Sequence, residues 1–186
     1  MDPGELVRWA EAHATALLSD MGDRWQHVRA VASQAREVVR ILDGEDDQAA
    51  LIAAAWLHDV GYAPSLVVTG FHALDGARYV RVPGQERIAG LVAHHSGSQV
   101  EAKLRGLSAE LAEFPDEGSK TTAALAYCDM LTGPAGEAVS LEERIADVER
   151  RYGPEHVVPR SLRLAQPALA RSLAFVESKL HQLDRA

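Results

Sequence analysis

Apolar residues recur along this chain at the spacing of an α-helix. Between residues 23 and 42, for example, Val28, Val31, Ala35 and Val38 follow one another at intervals of three or four positions, which places them on one helix face. No stretch alternates between apolar and polar residues over a useful length, as a half-buried β-strand does. The pattern therefore predicts an all-α protein, a single helical bundle of about seven to nine helices.

Caps and helix breakers indicate where the helices begin and end. Ser140 with Glu143 matches the capping-box pattern, and Asp23 with Gln26 resembles it. Pro167 predicts a kink or a restart in the last helix. The expected helices cover about residues 4–18, 23–42, 49–62, 71–81, 85–96, 121–131, 140–153 and 159–182, with one or two short polar helices within residues 98–113. No linker divides the chain, so we expect one domain over residues 1–186, with the C-terminal helices 140–182 packing on the remainder.

The stretch Ala49–Tyr62 is apolar on every side and carries His58 and Asp59 at its C-terminal end. A helix that is apolar all round is normally buried. Burying a carboxylate beside an imidazole costs free energy unless something compensates, and a metal ion is the usual compensation. Gly61 is expected to stop this helix, and Pro64 prevents its continuation. Taken alone, the pair is equally consistent with a core histidine beside a solvated aspartate.

Other histidines and one aspartate extend the pattern. His27, His72 and the pair His94–His95 lie on separate predicted helices, and Asp129 lies in a second apolar helix. An unpaired carboxylate in such a helix is strongly destabilising without a cation. As alternatives, His27 or His72 could face solvent near a helix end, and one of His94 and His95 could pack or hydrogen-bond instead of binding metal. The complete ordered set favours metal ligands.

Composition limits the kinds of partner. The chain has 19 Lys plus Arg and 27 Asp plus Glu, a formal net charge of −8, which argues against binding a nucleic acid duplex or an anionic membrane. The one cysteine, Cys128, excludes an internal disulfide and is expected to pack in the core. No apolar run approaches the ~20 residues that span a bilayer, and no signal-peptide pattern is found. We therefore expect a cytoplasmic protein that acts on a small molecule; no pattern predicts an oligomeric state.

The chain resembles the HD-domain superfamily of metal-dependent phosphohydrolases in three segments, which match the family's signature segments in type and order. These are HVRAVASQA around His27, LIAAAWLHDVGY around His58 and Asp59, and LAYCDML around Asp129. The resemblance covers about residues 20–135. It implies an all-α HD-type domain in which His27, His58, Asp59 and Asp129 bind a metal ion, with His58 and Asp59 at the centre of catalysis.

Two further segments resemble the binuclear branches of the superfamily, where additional histidines hold a second metal. FHALDGA and VAHHSG match those segments, which implies His72, His94 and His95 as further ligands and Asp59 as a bridge between two ions. We therefore expect two divalent ions (Fe, Mn, Co, Ni, Zn or Mg). Tyr62 stands where the branches that hydrolyse cyclic dinucleotides have a lysine, so that specificity is not implied.

The expected activity is hydrolysis of a phosphate ester of a small metabolite or nucleotide by a metal-activated water. A mixed imidazole–carboxylate site suits such ions, and two ions can activate a water and neutralise the leaving group. HD-type di-iron oxygenases of small organic substrates share the same ligand order and are the alternative, with a non-catalytic metal-binding module as a third possibility. Candidates for contacting the phosphate are Arg24, Lys103 and Lys120, which lie near the proposed ligand segments.

Overall fold

The computed structural model describes residues 1–185, which form ten α-helices. These are α1 (Pro3–Leu18), α2 (Asp23–Val38), α3 (Glu45–Leu57), α4 (His72–Arg81), α5 (Glu86–Ala93), α6 (Ser98–Arg105), α7 (Ser108–Leu111), α8 (Lys120–Met130), α9 (Leu141–Tyr152) and α10 (Val157–Leu183). Short 3-10 turns follow α2, α3 and α5, at Val39–Ile41, Val60–Tyr62 and His95–Gly97. Within residues 1–185 there is no β-strand, only an isolated bridge between Thr132 and Ala138. The predicted all-α fold is confirmed.

The number of helices and some of their ends differ from the prediction; α2 ends at Val38 and α3 runs from Glu45 to Leu57. Residues 98–113 form two helices, as one of the two predicted alternatives has it, because Gly106 ends α6 in the left-handed conformation, with φ at 73°. The described helices number ten, one more than the upper end of the predicted range. Helix α2 begins at Asp23 and no side chain caps it, so the capping box predicted there is wrong, whereas the one at Ser140 is confirmed. Helix α10 runs through Pro167 without a restart.

Helix α3 lies at the centre of the bundle, and from Ala49 onward all of its residues except Ile52 are buried. It packs against α1, α2, α5 and α8, and its buried residues include five alanines, Ala49, Ala50, Ala53, Ala54 and Ala55. Short side chains allow neighbouring helices to approach closely, because interhelical distance depends on the side chains at the contact. The predicted burial of this stretch is confirmed, and its C-terminal end carries the imidazole and carboxylate of the His–Asp pair into the interior.

The turn after α3 lies directly against α4. A Cβ atom at Gly61 would be 2.0 Å from the carbonyl oxygen of His72 and 2.7 Å from the backbone nitrogen of Gly76. Gly61 lies inside the 3-10 turn, beyond His58, the residue that caps the end of α3. Glycine is therefore required here for space and does not act as the predicted helix stop. This backbone contact fixes the start of α4 relative to Asp59.

The C-terminal helices α9 and α10 pack on the rest of the bundle. Helix α10 packs against α6, α8 and α9, and a second apolar cluster joins α8, α9 and α10 through Met130, Ile145 and Leu169. A pocket remains where α9 and α10 meet the turns that follow α3 and α5. In the part of the chain that the structure describes, no helix combines the length and the apolar character needed to cross a bilayer.

Candidate metal centre

Two groups of potential ligands meet at the C-terminal end of α3 and share one aspartate. His27, His58 and Asp59 form the first group, and Asp59, His72 and His95 form the second. Within each group the ligand atoms all lie within 4.8 Å of one another. Four of the five residues are buried and His72 is partly buried. Four separate elements, α2, the end of α3, α4 and the turn after α5, therefore deliver ligand atoms to one place.

Backbone carbonyls fix the orientation of three of the four imidazole rings. The Nδ1 atoms of His27, His58 and His95 lie 3.1 Å from Gly133 O, 2.8 Å from Ala55 O and 2.6 Å from Val92 O respectively. A carbonyl oxygen only accepts hydrogen bonds, so each Nδ1 must carry the proton and donate it. In the neutral ring Nε2 is then a bare lone pair, which is the arrangement that metal-binding histidines adopt.

The bare nitrogens face one another and the carboxylates. The Nε2 atoms of His27 and His58 are 3.3 Å apart, and Asp129 Oδ1 lies 3.1 Å from His27 Nε2. The Nδ1 atoms of both rings already donate their protons to backbone carbonyls. In the neutral rings, the two Nε2 atoms and the Asp129 oxygen are therefore all acceptors, and no hydrogen bond can join them. Imidazole nitrogens and carboxylate oxygens are the donors that bind divalent transition metals. The residues present therefore fit a divalent ion.

Asp129 lies beside the first group and is held by two further side chains. The Ser96 hydroxyl donates to Asp129 Oδ2, and an Arg144 guanidinium nitrogen lies 3.6 Å from Oδ1. Ser96 is the one residue other than glycine within residues 1–185 that has a positive φ, at 48°. Left-handed backbone is disfavoured for residues with a Cβ atom, so local strain accompanies the placement of this hydroxyl.

A stack of three side chains borders the second group. The ring of Tyr62 lies parallel to that of His72, with centroids 4.2 Å apart, and the Arg24 guanidinium lies 4.0 Å above the centroid of Tyr62. Arg24 also donates a hydrogen bond to Asp59 Oδ2. The stack therefore supports the His72 ring on one face and supplies a positive charge to the shared carboxylate.

The charges of the cluster oppose the effect of burial on its two carboxylates. Burial favours the neutral acid, but the charge of the Arg24 guanidinium and the contributions of His58 and His72 together outweigh it and hold the pKa of Asp59 well below its usual range. Burial acts in the same way on Asp129, where the contact with His27 and the charges of His58 and Arg144 together outweigh it, and the pKa is again well below the usual range. Both groups are therefore anionic near neutral pH, as metal-binding carboxylates must be.

Burial dominates the protonation of the second histidine group. It lowers the pKa of His72 to about 3 and also lowers the pKa of His95, with the charge of His58 acting in the same direction. Burial opposes the charged form of His58 as well, but Asp59 and Asp129 outweigh it and raise the pKa of that ring. His72 and His95 are thus neutral near pH 7, the form in which imidazole binds a metal.

The cluster opens onto a pocket with about 610 Å³ of empty space, part of it open to solvent. Asp59, His72, His95 and Asp129 form its floor. Its walls contain three arginines, one further acid, apolar side chains and two tyrosines; among them are Arg24, Arg144, Arg151, Glu101, Leu162, Tyr62 and Tyr152. A small molecule in this pocket would contact the ligand groups and several positive charges.

His94 is the proposed ligand that the structure does not bring to the cluster. Its Nε2 donates to the carbonyl oxygen of Phe114 at 2.9 Å, and its Nδ1 lies 4.0 Å from Asp116 Oδ2. Helix α5 ends at Ala93 and the 3-10 turn begins at His95, so the two histidines leave the helix in different directions. The assignment of His94 as a ligand is therefore replaced by a role in holding the loop that contains Phe114.

Two of the three residues proposed to contact phosphate lie elsewhere. Lys120 donates to Asp43 Oδ2 at 2.7 Å on the surface, and Lys103 is an exposed residue of α6; neither lines the pocket. Arg24 does line it.

Cys128 is fully buried in the main apolar cluster, and burial raises the pKa of its thiol, so its predicted place in the core is confirmed.

Sequence reasoning missed Arg144 and Ser96. Helix α9 is rich in charged residues, and its buried residues are Leu141, Arg144, Ile145 and Val148. These positions follow the three-to-four residue spacing of a buried stripe, so an arginine in that stripe was a detectable signal. Ser96 gave none, because its role depends on the left-handed backbone of the turn.

An all-α bundle that buries two imidazole–carboxylate groups around one shared aspartate has the ligand arrangement of a helical protein that could hold a metal. The model of the HD domain family matches residues 24–149, a stretch that contains all the ligands of both groups. The chain therefore belongs to the HD superfamily of metal-dependent phosphohydrolases, and the resemblance seen in the sequence is confirmed. A search of curated proteins and a search of solved structures gave no match to this chain.

Proposed function

We propose that this protein hydrolyses a phosphate ester of a small metabolite or nucleotide, using two divalent ions and water. The observation that carries the proposal is the sharing of Asp59 between two ligand groups on the floor of a pocket whose walls contain three arginines. A dianionic phosphate needs positive charge on several sides, and ions on the floor together with guanidinium groups on the walls would provide it.

The ligands divide between two positions. His27, His58 and Asp59, with Asp129 beside them, would hold one ion, while His72, His95 and Asp59 would hold the other. Ions bound there would supply Lewis acidity and lower the pKa of a coordinated water towards neutrality. We assign His58 and Asp59 to the catalytic centre because they lie where the two groups meet.

Arg144 is the wall residue best suited to bind the substrate phosphate. Its side chain is only 9% exposed, and its guanidinium makes no hydrogen bond to any residue between 1 and 185, with Asp129 Oδ1 3.6 Å away as its nearest counter-charge. Arg24 and Arg151, in contrast, already donate to Asp59 and Asp147. A buried guanidinium with unused donors that borders a pocket is a strong anion-binding group.

The test is a screen of phosphate esters with Mn²⁺, Fe²⁺, Co²⁺ and Mg²⁺, in which released phosphate and consumed O₂ are both measured. The proposal expects metal-dependent phosphate release without O₂ consumption. O₂ consumption without phosphate release would favour the di-iron oxygenase, which uses the same kind of ligand set. If no ester and no metal gives either reaction, the result would favour a non-catalytic binding module.

A pair of variants on α9 tests the role of Arg144. Arg144→Gln should raise KM for the ester about ten- to hundred-fold, since a hydrogen bond to a charged group contributes roughly 1.5–3 kcal/mol. Arg150→Gln is the matched control, because Arg150 lies on the same helix, is 72% exposed and pairs only with Asp147. Equal KM values for the two variants would reject Arg144 as the phosphate-binding residue.

A further inference from the structure

We infer that Glu101 selects the substrate, and that the organic part of the phosphate ester carries an ammonium or hydroxyl group that donates a hydrogen bond to this carboxylate. The inference rests on the proposed function, since it concerns the same pocket. It adds the part of the substrate that lies away from the phosphate.

Glu101 is a buried acid on the pocket wall. It lies on α6, is 6% exposed and lines the pocket together with Ser98, one helical turn earlier. Acids are rarely buried to this degree unless they are paired. Asp59 and Asp129, the other two acids of the pocket, face the metal-binding groups, so Glu101 is the pocket carboxylate that the metal centre does not use.

Only one oxygen of Glu101 is occupied within the protein. Oε1 accepts a hydrogen bond of 2.7 Å from Arg105 Nε. Oε2 accepts none from residues 1–185, and it is not among the side-chain atoms that are both unpartnered and sealed from solvent. Arg105 itself is not a lining residue. The pairing therefore leaves one carboxylate oxygen of a pocket-lining residue without a partner among residues 1–185.

The free oxygen of Glu101 can accept a hydrogen bond from a molecule bound in the pocket. Burial raises the pKa of this carboxyl, although the hydrogen bond and charge of Arg105 and the charge of His156 act in the opposite direction. An ammonium or hydroxyl group of a bound molecule would supply the missing interaction. Arg144, with unused donors on the same pocket, is the complementary group for a phosphate.

A purely structural role of Glu101 would give different results when Glu101 and Arg105 are replaced. If Glu101 served only to hold Arg105 near the ring of Phe71, 5.7 Å from its centroid, then removal of Arg105 would have the same consequence as removal of the carboxylate. It would also affect all substrates alike, because neither Arg105 nor a folded α6 distinguishes one ester from another.

The experiment compares three esters on the metal-loaded protein: phosphoethanolamine with an ammonium, glycerol phosphate with hydroxyls, and propyl phosphate with neither. The variants are Glu101→Gln, Arg105→Gln and, as an exposed control, Glu142→Gln. We expect Glu101→Gln to raise KM about ten-fold or more for phosphoethanolamine or glycerol phosphate, with kcat unchanged. The KM of Glu101→Gln for propyl phosphate should stay within about two-fold of the wild type. The KM and kcat of Arg105→Gln and Glu142→Gln should stay within the same range for all three esters. Whichever of the two esters responds identifies the donor.

An equal rise in KM for all three esters would overturn the inference, and so would an Arg105→Gln variant with the same selectivity change as Glu101→Gln. If Glu101→Gln does not fold, the wild type alone decides, because it must then prefer a donor-bearing ester over propyl phosphate by about ten-fold in KM. If the wild type hydrolyses no ester, the proposed function fails, and calorimetric binding of the same three compounds tests Glu101 separately. Weaker binding of a donor-bearing compound to Glu101→Gln than to the wild type would support the inference. Unchanged binding would overturn it.

Discussion

A single methyl group at position 61 should disturb both the fold and the metal centre. In Gly61→Ala the new Cβ atom would lie 2.0 Å from the His72 carbonyl oxygen and 2.7 Å from Gly76 N, far inside the 3.4 Å at which ordinary contact begins. Both neighbours are backbone atoms of α4, so no side chain can rotate away. The start of α4, which carries His72, must move.

The size of the effect follows from overpacking. Extra methyl groups in a packed interior cost about 1–3 kcal/mol, and the backbone contact here places this variant at about 3 kcal/mol. For a chain of this size each kcal/mol lowers Tm by about 2–4 °C, so we expect a fall of about 6–12 °C. The second metal position should weaken more than the first, because the displacement falls on His72 and not on His27.

The assay is thermal unfolding followed by circular dichroism, together with elemental analysis of metal-loaded protein. Gly44→Ala is the control, since Gly44 has an ordinary φ of −138° and a Cβ there meets nothing within 4 Å; as the residue before α3 it should cost about 1 kcal/mol or less. A Gly61→Ala protein with the Tm and the metal content of Gly44→Ala would refute the reasoning.

The other predictions concern the ligands and the turn that positions Asp129. Elemental analysis should give two ions per chain for the wild type and for His94→Ala, about one for His72→Ala and almost none for Asp59→Ala, which removes the shared ligand; loss of an ion in His94→Ala would contradict the placement of that ring. Ser96→Ala and Ser96→Gly should both retain less metal, since each removes the hydroxyl that donates to Asp129. In the presence of a chelator, however, the glycine variant should unfold about 2–4 °C higher than the alanine variant, because glycine adopts positive φ without the roughly 1 kcal/mol penalty; equal Tm values would show that the turn is not strained.

The all-α fold could be predicted because its signals are local. Helical spacing of apolar residues requires no knowledge of tertiary contacts, and an aspartate in the apolar segment of residues 121–131 indicated a site because burial of a lone carboxylate is so unfavourable. The apolar character of α3 indicated its central place for the same reason. Each of these inferences depends only on which side chains of a segment are apolar or charged, and the sequence specifies that directly.

The remaining details depend on where a helix ends and on what lies opposite. His94 and His95 could not be separated by a 100° rotation per residue, because α5 ends at Ala93 and helical geometry no longer applies to them. The need for glycine at position 61 arises from the backbone of α4, which is distant from the helix-stop pattern in sequence. Arg144 was obscured by the many charges around it, although its position in the buried stripe of α9 was visible.

The stretch that the HD model matches and the wall of the pocket do not coincide. The match ends at residue 149, whereas Tyr152, Val158, Ser161 and Leu162 also line the pocket. Changes in these four side chains would alter the shape of the space above the metal centre and leave every ligand of both groups in place. Sorting such proteins by the matched stretch would therefore group them by how they hold metal, while the last turn of α9 and the first turns of α10 would be the place to look for differences in what they bind.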